Sequence, residues 1–372
     1  MKFISSKSSL LNGINIVNKA IPSNTTMEIL KNIKISANNN EIKLLANDMD
    51  IAIETIIEGN VLEKGEIAVD ASFINNVLRG FPDNEIIIET KGSSDLVLTY
   101  NQEKNSYTTI KYIGTDEFPN LPSYEKENPV VISQYSLKEL IRTTIFSISD
   151  NDTNKIMTGE LFELKGNVLK VVSLDGHRIS IRKSELKETY NDRSVIVPGK
   201  ALKELTKILS NEIENEVIIY LNKNNIVFEF DNNIFISRLI EGEYFKIDSM
   251  ISSNYTVKVN VNKKDLLDGI NRAVPFVHEG EKKPVRFNFE GDSLTMSISS
   301  LEGGNNDYIN IEKEGNDVLI GFNPKFIIDA LRVIDDENVN LYMINSKAPC
   351  FIKNEEETYI YLVLPVNFTV VN

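Results

Sequence analysis

Three basic residues recur at one position of a repeated helical segment, and their charge could bind phosphate. The segments read VDASFINNVLRGF, VPGKALKELTKIL and FNPKFIIDALRVI, and they are 128 and 125 residues apart. The recurring basic column comprises Arg79, Lys207 and Arg332. A second column, seven residues earlier, comprises Ser72, Lys200 and Lys325. Seven residues is nearly two helical turns, so both columns lie on one helix face.

Two other groups of residues are candidates for catalysis. The carboxylates Asp48, Asp50 and Glu54 could hold a metal ion, as in a nuclease. On a strand of alternating faces, however, the two aspartates flank hydrophobic residues and are expected to point to solvent. The segment DGHR places His177 beside Asp175 and Arg178, but a general base also needs a nucleophile or metal and an oriented partner. The sequence shows none, so we predict no catalytic residue and a structural or groove-wall His177.

The composition predicts a soluble cytoplasmic protein without a cofactor. Hydrophobic residues make up 41% of the 372 residues, and no apolar run approaches the ~18 residues that a membrane span needs. The N-terminus lacks the apolar core and cleavage site of a signal peptide. A single cysteine, Cys350, excludes an internal disulfide and fits a reducing cytosol. With two histidines and no Cys/His cluster, no metal site is expected.

Positive charge is concentrated in the predicted helices. Six helices are predicted, over residues 7–19, 71–79, 136–146, 198–209, 262–274 and 323–333. They hold thirteen Lys or Arg and five Asp or Glu, a net +8, so the remainder carries −22 and the whole chain −14. Nucleic-acid-binding domains are usually basic, and the net charge argues against a protein that holds nucleic acid by bulk attraction. The helix faces alone are suited to phosphate.

Each third of the chain repeats one order of elements. An extended start leads into an amphipathic helix, alternating strand-like runs follow, and a second helix precedes more β-rich stretches. In the first helices of the three repeats, one aligned position is occupied by Leu10, Leu140 and Leu266. Another aligned position is occupied by Ser8, Lys138 and Lys264. The segments 118–129 and 243–255 are predicted linkers. We predict an α+β fold of three repeated domains, 1–126, 127–253 and 254–372, each with two helices packed on antiparallel sheets.

Several motifs, in order and at consistent spacing, give the chain a resemblance to a known family. They are MKF at the start, DEFPNLP (116–122), TGELFE (158–163), VVSLDGHRIS (171–180), SVIVPGKALKELTKIL (194–209), IGFNPKFIIDALRVI (320–334), ENVNLYM (337–343) and YLVLPVNF near the end. From end to end, the chain resembles the beta sliding clamps, the beta subunits of bacterial DNA polymerase III. Each motif alone is modest, but the whole set across three repeats is highly specific.

The resemblance implies a non-catalytic processivity factor that encircles duplex DNA. Such a clamp is a head-to-tail homodimeric ring of DNA-clamp domains, with helices lining the hole and sheets outside. Weak, water-separated phosphate attraction would position DNA of any sequence and still permit sliding. A separate ATP-driven clamp loader is implied, since the chain has no nucleotide motif. The residues expected to face DNA are Asn24, Arg79, Lys138, Lys200, Lys203, Lys207, Lys264, Arg272, Lys325 and Arg332.

The resemblance also implies a peptide-binding pocket for the replicative polymerase and other proteins with a clamp-binding motif. One side would be lined by Met157, Leu174, Gly176, His177, Arg178 and Ile179. The other side would comprise Met250, Asn323, Phe326, Lys347 and Pro349, completed by Leu362, Val363, Leu364, Pro365, Val366 and Asn367. Leu174 replaces a usual threonine, and Lys347 stands where an apolar residue is frequent. These departures bear on partner preference.

The dimer contact is expected where the closing strand of the first domain meets a sheet edge of the third, because unpaired strand edges invite strand addition. The candidates are Tyr107, Thr109 and Ile110, meeting Phe276 and the strand around 295–299. Two other functions stay open from the residues alone. One is a repeat-built protein scaffold that never meets DNA, and the other is a metal-dependent nuclease.

Overall fold

Six α-helices form at the predicted places in the computed structural model, which describes residues 1–150, 153–251, 254–277 and 283–368. They are α1 (Lys7–Val17), α2 (Ala71–Arg79), α3 (Gln134–Arg142), α4 (Gly199–Leu205), α5 (Lys263–Ala273) and α6 (Pro324–Val333). Four helices follow a polar residue whose side chain accepts a first-turn N–H: Ser6, Asp70, Asn262 and Asn323. α4 is shorter than predicted, because the chain tightens into a turn in which Ile208 N–H donates to Leu205 O.

The strands bear out the predicted β-rich stretches. They are β1 (Lys2–Ser6), β2 (Asn32–Asn38), β3 (Glu41–Asn47), β4 (Ile51–Ile57), β5 (Asn60–Glu63), β6 (Gly65–Asp70), β7 (Glu85–Lys91), β8 (Asp95–Asn101), β9 (Ser106–Lys111), β10 (Val130–Ser133), β11 (Gly159–Leu174), β12 (Arg178–Pro198), β13 (Glu216–Leu221), β14 (Asn225–Phe230), β15 (Asn233–Arg238), β16 (Val257–Asn262), β17 (Val285–Glu290), β18 (Ser293–Ser299), β19 (Gly304–Asn310), β20 (Glu312–Gly315), β21 (Val318–Phe322), β22 (Asn338–Met343), β23 (Cys350–Lys353) and β24 (Tyr359–Val363).

These elements form two compact units. Unit 1 comprises Met1–Tyr135 and Lys200–Leu239, and unit 2 comprises the described residues of Ser136–Gly199 and Ile240–Asn372. The expected domain boundary at 253 lies outside the described residues. Unit 1 contains a five-stranded sheet, β5-β1-β7-β8-β9, and an eight-stranded sheet, β10-β13-β14-β15-β4-β3-β2-β6. Unit 2 contains a seven-stranded sheet, β11-β12-β24-β23-β22-β16-β20, and a four-stranded sheet, β19-β18-β17-β21.

The first helices of the three repeats are α1, α3 and α5. The alignment of α3 with the other two differs from the expected alignment by about one helical turn. α1, α3 and α5 begin at Lys7, Gln134 and Lys263, and the residue three positions on is buried in each: Leu10, Leu137 and Leu266. Leu137, not Leu140, is therefore the equivalent of Leu10. Lys138 consequently does not share a column with Lys264, and the alignment expected for these two lysines is wrong.

Glycine lets two of the first helices lie close to a sheet. Gly13 in α1 and Gly269 in α5 occupy equivalent positions. A Cβ at Gly13 would collide with Ile57 Cγ2, and one at Gly269 would collide with Met296 Cε. In unit 2, α5 and α6 share a core with both sheets that includes Leu266, Phe287 and Tyr361. Among the described residues, no helix is long and apolar enough to cross a membrane.

Candidate functional site

Unit 2 contains two apolar clusters. The main core is the one that α5 and α6 share with both sheets, and a second apolar cluster is separate from it. Its buried members are Leu161, Val172, Leu174, Ile179, Ile181, Ile196, Ile247, Tyr342, Phe351, Ile360 and Leu362. Partly buried side chains pack against it: Ile156, Met157, Ile240, Tyr244, Phe245 and Ile251. Four of the expected pocket residues, Met157, Leu174, Ile179 and Leu362, therefore come together here. Strand pairing brings them together, since Ile179 faces Leu362 and Leu362 faces Phe351 in neighbouring strands.

The DGHR turn is held by its aspartate. Asp175 Oδ1 accepts the backbone N–H groups of His177 (2.9 Å) and Arg178 (3.1 Å). Gly176 has φ +87°, a left-handed conformation that favours glycine, and no atom lies within 4 Å of an added Cβ. Gly176 and His177 are exposed. The turn therefore presents His177 to solvent from a fixed backbone.

Arg178 is buried beneath this turn, with an exposed fraction of 7%. Its Nε donates to Asp175 Oδ2 (2.9 Å), its Nη1 donates to Asp329 Oδ2 (2.7 Å), and its Nη2 donates to the carbonyl of Phe146. The guanidinium carbon also lies 4.6 Å from the ring centroid of Phe326. Arg178 was expected to line the pocket, and the structure corrects this expectation. Its guanidinium group is buried and hydrogen-bonded to other residues of the same chain.

The C-terminal segment borders the same turn. Leu364 N–H donates to His177 O (2.9 Å), and Val366 N–H donates to Gly321 O (2.8 Å). Leu364 and Asn367 are exposed, and Pro365 and Val366 are half-buried. Val363 is 1% exposed and belongs to the main core, so its side chain does not line the pocket as expected. Successive strand residues point to opposite faces, which is why Leu362 and Val363 separate.

The other expected pocket residues lie on α6 and on two loops. The ring of Phe326 lies 6.1 Å from that of His177, and Asn323 caps α6 by accepting Lys325 N–H (3.1 Å). Met250 is 42% exposed after a short 3-10 helix. Lys347 and Pro349 lie between β22 and β23, and Lys347 N–H donates to Asn345 Oδ1 (2.9 Å).

Several residues of this site were not expected from the sequence. Tyr244, Ile247, Tyr342 and Phe351 belong to or pack on the apolar cluster, and Asp329 pairs with Arg178. Alternation along β22 and β23 could have indicated Tyr342 and Phe351, because they are paired directly. Asp329 lies three residues after Phe326, on the same helix face, which is a detectable signal.

Most of the expected DNA-facing side chains are exposed. Lys138 is half-buried, and the exposed members are Asn24, Arg79, Lys200, Lys203, Lys207, Lys264, Arg272, Lys325 and Arg332. Three of them pair with a carboxylate: Lys200 with Asp48 (2.7 Å), Lys207 with Glu204 (2.7 Å) and Arg272 with Asp307. Hydrogen bonding to Asp307 raises the pKa of Arg272. Five have no ion pair within the described part of the chain: Arg79, Lys203, Lys264, Lys325 and Arg332.

Asp48 is not a solvent-facing carboxylate, contrary to expectation. Its side chain is 4% exposed, and its Oδ1 accepts the N–H groups of Asp50 (3.0 Å) and Ile51 (2.6 Å). Its Oδ2 pairs with Lys200. Glu54 lies 3.3 Å from Lys43 Nζ. Both carboxylates thus have structural partners, and over the described ranges no group of three or more His, Cys, Asp or Glu could hold a metal ion.

Each of the four sheets ends in strands that have one unpaired edge among the described residues, and β9 and β19 are two of these terminal strands. β9 is the last strand of the five-stranded sheet, and β19 is the last strand of the four-stranded sheet. Tyr107 on β9 is 55% exposed and Tyr308 on β19 is 61% exposed. The expectation of an edge at 295–299 is wrong, because β18 pairs with β17 and β19 on its two sides. Ile110 is 3% exposed, so its side chain already packs within unit 1.

Comparisons with known proteins identify relatives of the whole chain. Models of the DNA polymerase III beta subunit match its N-terminal domain at residues 1–122, its central domain at 131–246 and its C-terminal domain at 248–367. The beta sliding clamp of Bacillus subtilis is 31% identical over 98% of this chain and 99% of its own length. That of Staphylococcus epidermidis is 29% identical over the same shares.

Solved structures of DNA polymerase III beta subunits have the same fold as this chain. The crystal structure of the DNA polymerase sliding clamp of Bacillus subtilis superposes with a TM-score of 0.95 at 29% identity, over 99% of this chain and 100% of that one. The crystal structure of a Eubacterium rectale chain, described as a DNA polymerase III beta subunit, reaches a TM-score of 0.96 at 54% identity, over 99% of each chain.

Proposed function

We propose the role of each surface from one premise: this chain belongs to the family of DNA polymerase III beta subunits, the beta sliding clamps. The chain is a non-catalytic processivity factor of DNA replication. It binds double-stranded DNA, forms a dimer, and binds the polymerase and other replication proteins. The observation that carries this assignment is the match of three successive family models along nearly the whole chain.

Three clamp domains, 1–126, 127–253 and 254–372, are proposed as the repeating parts of a head-to-tail dimeric ring. The matched ranges of the three family models and the repeated second helices α2, α4 and α6 support this division. The dimer contact is proposed to join β9 of one protomer to β19 of its partner. Their free edges and exposed tyrosines support this contact, since an unpaired edge can accept another strand.

The helix cations are proposed to face DNA and to act by charge alone. Flexible, exposed lysines and arginines attract phosphate oxygens without reading bases, so the affinity is independent of sequence and falls with salt. The five unpaired cations, on α2, α4, α5 and α6, carry most of this attraction. The ion-paired Lys200, Lys207 and Arg272 contribute less, because a neighbouring carboxylate offsets each charge.

The second apolar cluster of unit 2 is proposed as the floor of the peptide pocket. Apolar side chains such as Met157, Leu174 and Leu362 would receive the hydrophobic residues of an extended peptide. Exposed His177 and the backbone of the C-terminal segment supply polar groups at the rim. Replication of a bacterial chromosome takes place in the cytoplasm, so we place the protein there.

Small-angle X-ray scattering with light scattering tests the assembly. A clamp gives a mass of two 42.1 kDa chains and the scattering minimum of a hollow ring. A single chain at micromolar concentration would contradict the ring. The pocket is tested separately, by binding of a labelled peptide that carries the clamp-binding motif of a bacterial replicative polymerase. No binding by a properly folded dimer would contradict the pocket.

A further inference from the structure

The guanidinium group of Arg178 is largely enclosed by residues of its own chain. Its three nitrogens donate to Asp175, Asp329 and the carbonyl of Phe146. Its two carboxylate partners are themselves largely buried, with side chains 15% and 19% exposed. A buried charge needs such partners, because an unpaired one is costly. Three of its five N–H groups thus have partners within the chain, and the side chain is 8% exposed.

Two aromatic rings complete the enclosure. The guanidinium carbon lies 5.4 Å from the ring centroid of Phe146 and 4.6 Å from that of Phe326. A planar guanidinium stacks on aromatic faces while its edge keeps its hydrogen bonds, which a lysine ammonium cannot do. Arg178 therefore packs against the face of the Phe326 ring.

The same arginine connects the two walls proposed for the peptide pocket. Through Asp175 it is tied to the turn that carries His177, and through Asp329 it is tied to α6, which carries Phe326. The rings of His177 and Phe326 lie 6.1 Å apart. The spacing between the His177 turn and Phe326 thus depends on one buried network.

We propose that Arg178 is a positioning residue for peptide binding, acting through Phe326 without touching the peptide. This inference rests on the proposed pocket and goes beyond it. Arg178 holds Phe326 and the His177 turn at the spacing that the peptide requires. Preorganised contact surfaces bind more tightly because less order is lost on binding. Loss of the stacking and of the forked hydrogen bonds should therefore weaken binding even if the fold persists.

A double-mutant cycle tests this role in the full-length protein. Arg178→Lys keeps the charge that neutralises Asp175 and Asp329 but loses the planar fork. Fluorescence anisotropy measures binding of a labelled peptide with the clamp-binding motif of a bacterial replicative polymerase. We expect Arg178→Lys to weaken binding about tenfold and Phe326→Ala by at least as much. The double variant should be no weaker than Phe326→Ala, within about twofold.

Arg182→Lys is the matched control. Arg182 lies on the same strand and stacks on Tyr359 at 5.2 Å, away from Phe326. It should change peptide affinity by less than about twofold. A second readout separates positioning from general loss of structure: the ¹⁹F resonance of 4-fluorophenylalanine at position 326. This resonance should shift in Arg178→Lys and stay in place in Arg182→Lys.

The outcomes are distinguishable. If the wild-type protein binds the peptide and the two losses multiply in the double variant, Arg178 contacts the peptide itself and the inference is overturned. An unshifted ¹⁹F resonance in Arg178→Lys also overturns it. If the folded wild-type dimer does not bind the peptide, the proposed pocket fails, whatever Arg178 does. Non-additive losses with a shifted resonance support the positioning role.

Discussion

Lys200 and Asp48 neutralise each other, with Lys200 Nζ 2.7 Å from Asp48 Oδ2. The aspartate side chain is buried, whereas the lysine is 65% exposed at the start of α4. Lys325, in the equivalent position of α6, has no ion pair among the residues that the structure describes. Two lysines in one repeat column therefore present different charge to a phosphate.

Removing the charge of Asp48 should strengthen DNA binding. Asp48→Asn keeps the Oδ1 acceptor of the turn and frees Lys200, so the affinity at low salt should rise about two- to threefold. The salt dependence of binding should steepen by up to about one counterion. Asp50→Asn is the control, because Asp50 is exposed and has no ion pair over the described ranges. Equal effects of both variants would mean that only net charge matters.

Neutralising unpaired cations should matter more than neutralising a paired one. Arg79→Gln with Arg332→Gln removes two exposed charges, and the salt slope of DNA binding should fall by about two. Lys207→Gln should change the slope by less than one, because Glu204 already lies 2.7 Å from Lys207 Nζ. Titrations at several salt concentrations measure the slopes. A Lys207→Gln effect as large as that of either arginine would show that the ion pair opens on DNA.

Like charges placed on the two free edges should weaken the dimer. Tyr107→Arg and Tyr308→Arg put cations on β9 and β19, and charge repulsion should raise the dimer dissociation constant at least about tenfold. Sedimentation velocity at micromolar concentration measures the dimer fraction. Ile213→Arg changes another exposed apolar residue, 65% exposed and on neither strand. An undiminished dimer in the double tyrosine variant would exclude the proposed β9–β19 contact.

Acid should destabilise the fold in part through Glu139. Arg142 donates to its carboxylate at 2.8 and 2.6 Å, and this hydrogen bonding lowers the pKa of Glu139. A carboxyl whose pKa is lowered by folding stabilises the protein above its unfolded pKa of about 4.3. That contribution is lost as the pH falls through the folded pKa, because the unfolded state then binds more protons.

The urea midpoint should therefore drop less steeply with acid in Glu139→Gln than in the wild type below about pH 5. Glu103→Gln serves as the control, since Glu103 is an exposed residue without an ion pair in the described part of the chain. If the wild type and Glu139→Gln show parallel pH profiles, the Glu139–Arg142 ion pair does not contribute to the loss of stability in acid.

The sequence predicted the helices well because their apolar spacing and capping residues are local signals. The column of Arg79, Lys207 and Arg332 has the expected register, since α2, α4 and α6 begin at equivalent positions. In α3 the register was missed because both Leu137 and Leu140 are apolar and lie on one face. Shifting the alignment of α3 by one turn keeps apolar residues in the stripe, so the sequence pattern does not distinguish the two alignments.

The misplaced site residues depend on contacts distant along the chain. Burial of Arg178 requires Asp329, 151 residues away, and the pairing of Asp48 requires Lys200, 152 residues away. The edge strand was placed one strand too early, because β18 and β19 both alternate and only pairing shows which is outermost. A single sequence records none of these distant pairings directly.

Retention on circular and linear DNA is the decisive test of whether this protein encircles the duplex. The wild-type protein is loaded on nicked circular DNA with a clamp loader and ATP, passed through gel filtration, and measured before and after one restriction cut. A ring that encircles the duplex stays on the circle and slides off the linear product, even at salt that abolishes charge-based binding. Equal retention on circular and linear DNA would contradict a sliding clamp.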